Sequence, residues 1–222
     1  MNTNRRVLGE ILYGSQNYGL NGPNSDKDYY EIVMPSFYDL YYQKEASDKK
    51  SWDIRKFTKL ILDGNFNAIE LLFSVDKQFY SQDFEFLWHY LRAISSDIVA
   101  RRSKKFYYSI RGCFKASLDN ADKADSVETY IKHMARAQYF VDLLDHVRLS
   151  HFYLTENAWR GNFTENARNI RFNHAPVDKE KLLADMDRLS IYYDRIEDLP
   201  SKYYEMITSN FQDLMEEKDD DD

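Results

Sequence analysis

The apolar and polar positions change their period once along the chain, near residue 80. Before that point, short apolar and β-branched runs alternate with turn-forming residues. Residues 7–13 read as a strand that ends at Gly14-Ser15, and residues 29–34 read as a second strand closed by Pro35. Between them Asn21, Gly22, Pro23, Asn24 and Ser25 form a dense cluster of breakers, which predicts a loop. Residues 36–50 are polar and irregular. Residues 52–57 fit either a third strand or the entry to a helix that runs through Leu62 before Gly64-Asn65.

Beyond residue 80 the spacing becomes helical. Val127, Tyr130, Ile131, Met134, Val141 and Leu144 recur at three- and four-residue steps, and Ser126 stands where an N-cap belongs. Further helices are expected over residues 84–94, 98–118, 179–196 and 202–216, with Pro200-Ser201 separating the last two. The expected architecture is α+β. A small mixed head (residues 1–80) is followed by a helical domain (81–218) and a tail of four aspartates (219–222).

Composition narrows this picture. Seven glycines and four prolines against 18 Tyr, 14 Phe and 3 Trp in 222 residues favour a helix-rich folded chain. A single cysteine excludes a disulfide framework and a thiolate zinc cage. No apolar run approaches the ~20 residues of a membrane span, and the N-terminus lacks the apolar core of a signal peptide, so a cytoplasmic protein without a membrane partner is expected. A net charge of −7 argues against a general nucleic-acid coat while leaving room for a local basic groove.

One segment carries candidate chemistry. Leu12-Tyr13-Gly14-Ser15 is followed, after ten residues, by Asp26-Lys27-Asp28 and then by the second strand. A strand that turns sharply at Gly-Ser offers backbone N–H groups and a hydroxyl, and glycine lets a phosphate approach the backbone. Carboxylates two apart on a strand share a face and make hard oxygen ligands for Mg²⁺ shared with substrate phosphates. With a third carboxylate they could hold two metals for in-line phosphoryl transfer. Taken singly, Gly-Ser is also an ordinary turn, and Asp-x-Asp an ordinary strand edge or helix cap.

These residues resemble the signature of the DNA polymerase beta-like nucleotidyltransferase superfamily: Gly-Ser, about a dozen residues, then Asp-x-Asp. The segment is most similar to the branch of predicted nucleotidyltransferases described as RNA-ligase-associated. That branch shows Tyr-Gly-Ser-x-x-Tyr-Gly and Ser-Asp-x-Asp, here Tyr13-Gly14-Ser15-Gln16-Asn17-Tyr18-Gly19 and Ser25-Asp26-Lys27-Asp28. The stretch from Gly64 to Ser74 is similar as well, so the motifs cover residues 12–35 and 52–74.

The resemblance implies a minimal nucleotidyltransferase mixed sheet, followed by a helical C-terminal domain that walls a cleft. It implies transfer of a nucleoside monophosphate from an NTP to an acceptor hydroxyl with two Mg²⁺ ions. The acceptor would be an RNA end, a protein side chain or a small molecule. Asp26 and Asp28 would ligate the metals, while Ser15 and the Gly14 turn would hold phosphates. Asp53 is the best candidate for the third acid, with an N-cap of the helix from Arg55 to Leu62 as the other reading. Glu70 matches the Glu of the branch's Asn-x-x-Glu-Leu-Leu stretch, and reads equally well as a first-turn helix acid stabilised by the dipole. Where the family usually has an apolar residue between the paired aspartates, this chain has Lys27, which on a strand points away from the metals. A binding protein on the same fold, holding a nucleotide or partner without turnover, is the alternative.

Two groups of basic residues complete the candidates. Lys132 and Arg136 lie at i,i+4 on one helix face and could neutralise phosphates or, equally, form a solvated face. The run Arg101-Arg102-Ser103-Lys104-Lys105 could serve a nucleotide or an RNA backbone, or form a solvated face. The five histidines, at 89, 133, 146, 151 and 174, show no zinc spacing and read as structural or surface residues, and Cys113 reads as a small core residue.

Overall fold

A computed structural model describes residues 5–23, 25–36, 39, 50–155 and 159–198. The expected α+β class is found: a four-stranded mixed sheet with eight α-helices among the described residues, most of them in the C-terminal part. The expected helix over 202–216, the Pro200-Ser201 break, the acidic tail and most of the irregular 36–50 stretch lie outside the described residues.

The first strand, β1 (Val7–Leu12), ends at a one-turn helix α1 (Ser15–Tyr18). Strand β2 (Tyr29–Val33) returns antiparallel to it, with Leu12 opposite Tyr29. Strand β3 (Ser51–Asp53) adds in parallel beside β2 and runs directly into helix α2 (Ile54–Leu62). The two readings of residues 52–57 are thus both realised, one after the other. After helix α3 (Phe66–Leu72), strand β4 (Lys77–Phe79) pairs with the free side of β1, giving the order β3-β2-β1-β4.

The helical part consists of α4 (Gln82–Arg101), α5 (Ser103–Asp122), α6 (Val127–Leu149), α7 (Glu165–Asn173) and α8 (Lys179–Tyr193). Ser126 caps α6 as expected, accepting from the Thr129 N–H. The break expected between residues 94 and 98 falls instead at Arg102. Ser-Ser-Asp at 95–97 looks like a cap in sequence, but the Ser95 hydroxyl donates to the Arg92 carbonyl and is absorbed into the helix. Gly64, past the end of α2, adopts φ +75°, and a Cβ there would stand 2.7 Å from Arg102 Cβ, so the α4–α5 junction packs tightly on this turn.

One hydrophobic core runs through both halves, from Leu8 and Ile11 of the sheet to Leu189 and Tyr193 of α8. Cys113 packs against its edge, partly buried. Helix α6 is the axis of the core, with Met134, Tyr139, Phe140, Leu143, Leu144 and Val147 all buried. Aromatic residues join head to body: Phe66 of α3 meets Phe106, Phe140 and Trp159 edge-on, and Tyr18 of α1 stacks on Tyr139 at 4.3 Å. This stacking sets the distance between the Gly14-Ser15 turn and the face of α6 that carries Lys132 and Arg136. No helix among the described residues is long and apolar enough to cross a membrane.

Candidate functional site

The antiparallel return of β2 brings the two ends of the sequence motif together. The Tyr13 N–H donates to the Asp28 carbonyl at 3.1 Å, which extends the β1–β2 ladder and sets the Gly14-Ser15 turn beside the aspartates. Gly14 has φ +80°, a backbone conformation that disfavours a side chain, and its N–H donates to Glu70 Oε1 at 2.6 Å. Glu70 also accepts from Asn17 Nδ2 (3.1 Å) and from the Tyr18 hydroxyl (2.6 Å). Burial raises the Glu70 carboxyl above its usual range, and these three donors pull it back toward ionisation. Glu70 is the fifth residue of α3, beyond its first turn, so it serves as the anchor of the Gly14 turn rather than as a dipole partner.

A cleft of about 190 Å³ opens above this turn. The head contributes Gly14, Ser15, Asp26 and Asp28, and α6 contributes Lys132, His133 and Arg136 from the opposite wall. Six of the seven candidate site residues therefore meet in one place. Lys27 points the other way, with its ammonium 3.1 Å from Asp76 Oδ2, which also accepts from the Tyr29 hydroxyl at 2.7 Å. Asp26, Lys27 and Asp28 lie just before β2 rather than on a strand as expected, yet both aspartates line the cleft while Lys27 has a partner outside it.

The charges of the cleft are only partly compensated on their own side. Asp26 and Asp28 are exposed, and the nearest cation is Lys50, 3.4 Å from Asp28 Oδ1. No ion pair joins Lys132 or Arg136 to a carboxylate among the described residues. Arg136 lies over the Phe140 ring, with its Nε buried and without a hydrogen-bond partner among the described residues, and the same holds for His133 Nδ1. Burial, then Lys132 and Arg136, lower the His133 pKa below its ordinary value, so the imidazole is neutral near pH 7. Metal-ligand spacing alone sorts His133 with the structural histidines. The signal for its place on this wall is its position at i+1 from Lys132 and i−3 from Arg136.

Asp53 is the candidate that the fold does not bring here. It pairs with Val33 at the far end of β2, five residues from Asp28, about 16 Å along the strand at ~3.3 Å per residue. Its register also gives it the face opposite Asp28. Its side chain is 1% exposed, caps α2 by accepting from the Arg55 N–H at 2.8 Å, and accepts from Arg55 Nε at 3.0 Å. The N-cap reading describes its role in the fold.

The donor set suits Mg²⁺ in one respect. Asp26 and Asp28 are hard oxygen ligands, accessible from the cleft, and sufficient for an ion whose remaining positions are filled by phosphate and water. A second ion held by the protein would need a further carboxylate. No group of three or more His, Cys, Asp or Glu side chains able to hold a metal occurs among the described residues.

The remaining basic run does not enter the cleft. Arg101 pairs with Asp97 (2.9 Å), Lys104 with Asp194 (3.7 Å) and Lys105 with Asp63 (3.1 Å), and Asp198 accepts from the backbone N–H groups of Lys104 and Lys105. The chain matches no protein-family model, no curated protein and no solved structure.

Proposed function

We propose that this protein is a Mg²⁺-dependent nucleotidyltransferase that takes an NTP into the cleft between the Gly14-Ser15 turn and helix α6. The observation that carries this reading is the meeting of Asp26 and Asp28 with Lys132 and Arg136 across one narrow opening. Carboxylates facing cations without pairing to them suit a ligand that brings both a metal ion and a polyanion. Lys132 and Arg136, both on the α6 wall of the cleft, hold the phosphates through their charged ends. The Ser15 hydroxyl meets the same phosphates from the head, on a turn fixed by Glu70. At about 190 Å³ the cleft is smaller than the ~300–1,000 Å³ of a typical ligand pocket, so it fits the phosphates and leaves the base outside.

Asp26 and Asp28 would hold Mg²⁺, which supplies charge neutralisation at the phosphoryl oxygens. An acceptor hydroxyl then attacks the α-phosphorus in line. The new P–O bond forms as the α–β bridge breaks, the hydroxyl proton leaves to solvent, and pyrophosphate departs with its charge met by Lys132 and Arg136.

Pyrophosphate release, measured with each NTP with and without Mg²⁺ and with candidate acceptors, tests the reading. The expected result is Mg²⁺-dependent release that Asp26→Asn or Asp28→Asn abolishes. The limited carboxylate set favours a second reading, a nucleotide-binding protein without turnover. NTP binding by titration calorimetry with no pyrophosphate released under any condition would select it.

A further inference from the structure

We infer that the groove between helix α1 and helix α7 binds a single strand of nucleic acid and leads it to the cleft. Two adjoining depressions of about 570 and 600 Å³ share Gly161, Asn162, Thr164, Arg168 and Phe172, and form one open trough. Tyr18 lines both this trough and the cleft, so the two meet at a common wall. That wall is the one-turn helix whose first residue is Ser15.

The groove's charge is cationic in an acidic protein. Burial lowers the Arg160 pKa and the nearby Arg168 charge lowers it further, and neither arginine has a carboxylate partner among the described residues. Arg160 is held in place: its Nε donates to the Asn17 carbonyl at 2.8 Å and its guanidinium also reaches the Gln16 carbonyl. Arg168 is exposed and projects from α7. Glu165 is the one acidic residue along the trough among the described residues. Against a net charge of −7, two adjacent uncompensated arginines are a site for a polyanion.

The other lining groups identify which polyanion. Asn162 and Asn169 present amides, which can donate to and accept from the edges of unpaired bases. Phe172, 44% exposed in the same trough, offers a ring face for stacking. Arginine for phosphate, amide for base edge and an open aromatic for base face together suit a single strand. A duplex hides its base faces, and an acidic peptide has no use for the ring. That the strand is the acceptor rests on the nucleotidyl-transfer reading; its binding in the groove does not.

The test is fluorescence anisotropy in EDTA with a labelled twelve-nucleotide single-stranded RNA, the same sequence as DNA, its duplex, and a poly-glutamate peptide. Arg168→Glu and Phe172→Ala change exposed side chains and should leave the circular dichroism unaltered. The expected result is single-strand binding that is at least tenfold tighter than duplex or peptide, weakened at least tenfold by Arg168→Glu and about fivefold or more by Phe172→Ala. Its dependence on salt should be shallower in Arg168→Glu, by about 0.7 in log–log slope for each phosphate no longer neutralised. RNA bound tighter than DNA, or the two bound alike, both support the groove. Absence of single-strand binding, equal binding by Arg168→Glu, or preference for duplex or peptide would overturn it. Strand binding without pyrophosphate release from any NTP overturns the transferase and leaves the groove. Pyrophosphate release with no strand binding does the reverse.

Discussion

Charged residues in the cleft and charged residues at the corners of the fold look alike in sequence and differ in company. At the β2–α2 corner Asp53 is buried, caps a helix and meets Arg55. At the α4–α5 junction Arg101, Lys104 and Lys105 each face an aspartate. In the cleft Asp26, Lys132 and Arg136 make no ion pair among the described residues, Arg136 lies near enough to the buried Glu70 to favour its ionisation, and Asp28 pairs only with the exposed Lys50 ammonium at 3.4 Å. Paired charges hold elements together, while unpaired charges of opposite sign, kept apart by a stacked Tyr18–Tyr139 spacer, keep capacity for a ligand. The difference lies in which strand end each acid occupies, and that depends on register.

The comparison is broken most forcefully at the cleft. Asp28→Asn should lower pyrophosphate release at least ~100-fold, since metal-assisted charge stabilisation contributes several kcal/mol, while leaving the melting temperature near that of the parent. Charge reversal of Lys132 and Arg136 together should abolish NTP binding in titration calorimetry. Near-parental turnover in the first variant, or unchanged affinity in the second, would place the cleft charges with those at the corners.

Glu70 sharpens the comparison because it is a buried acid that serves the cleft without opening into it. Glu70→Ala strands three donors, the Gly14 N–H, the Asn17 amide and the Tyr18 hydroxyl. Each unsatisfied buried group costs about 1–3 kcal/mol, so chemical denaturation should show a loss of ~3 kcal/mol or more. Glu70→Gln retains one acceptor and should lie between. A loss under ~1 kcal/mol in Glu70→Ala would show that the turn is held elsewhere.

Much of this is legible in the amino-acid sequence, for identifiable reasons. The β1 and β2 strands announce themselves through apolar runs bounded by Gly14 and Pro35, and Ser126 marks the start of α6 by its capping chemistry. The three-residue strand β4 has no period to read, and α7, with only Ala167 and Ile170 buried, shows little apolar stripe. In the site, local spacing places Asp26 with Asp28, two residues apart just before β2, and Lys132 with Arg136, one turn apart on α6. The place of Asp53 depends on the parallel register of β3 against β2, which no local pattern encodes. The cost and the stabilisation around Glu70 come from residues more than fifty positions away, so its role is also invisible to local reading.

Asp53→Asn tests the corner side of the comparison. Asparagine keeps a capping oxygen for the Arg55 N–H but removes the charge-assisted bond to the Arg55 guanidinium, and hydrogen bonds to charged groups contribute about 1.5–3 kcal/mol before solvent screening. Thermal melting should fall by an amount equivalent to ~1–2 kcal/mol, the Arg55 side chain being partly exposed, with pyrophosphate release per folded molecule unchanged. A kcat lowered by orders of magnitude in a stable Asp53→Asn protein would join Asp53 to the chemistry.

Asp142 is a third case, an acid that is neither capped by a cation nor facing the cleft. Burial raises its carboxyl to about 6, against a hydrogen bond donated by Gln138 at 2.8 Å. Because the folded-state value is raised, the folded protein holds the proton more tightly than the unfolded chain. The contribution of this carboxyl to stability is therefore fully present below about pH 4 and is lost as the pH rises through about 6. Asp142→Asn should be indistinguishable from the parent at about pH 4 and more stable at about pH 8, on the order of 1 kcal/mol after allowing for partial solvent access. Equal stability at both values would mean that the carboxyl is solvated.

The smallest effect belongs to the basic run. Lys104 and Lys105 hold Asp194 and Asp63 at the protein surface, and exposed pairs of this kind contribute ~0–1 kcal/mol each. The backbone bonds from Lys104 and Lys105 to Asp198 survive any change of side chain. Lys104→Ala with Lys105→Ala should therefore shift the melting temperature by a degree or two, an effect that shrinks further in high salt. NTP and single-strand affinities should stay within about twofold of the parent, since the removed cations were already committed to aspartates. A several-fold loss of single-strand binding in this double variant would mean that the ion pairs open to receive phosphate, and the distinction between committed and uncommitted charge would fail where it is easiest to measure.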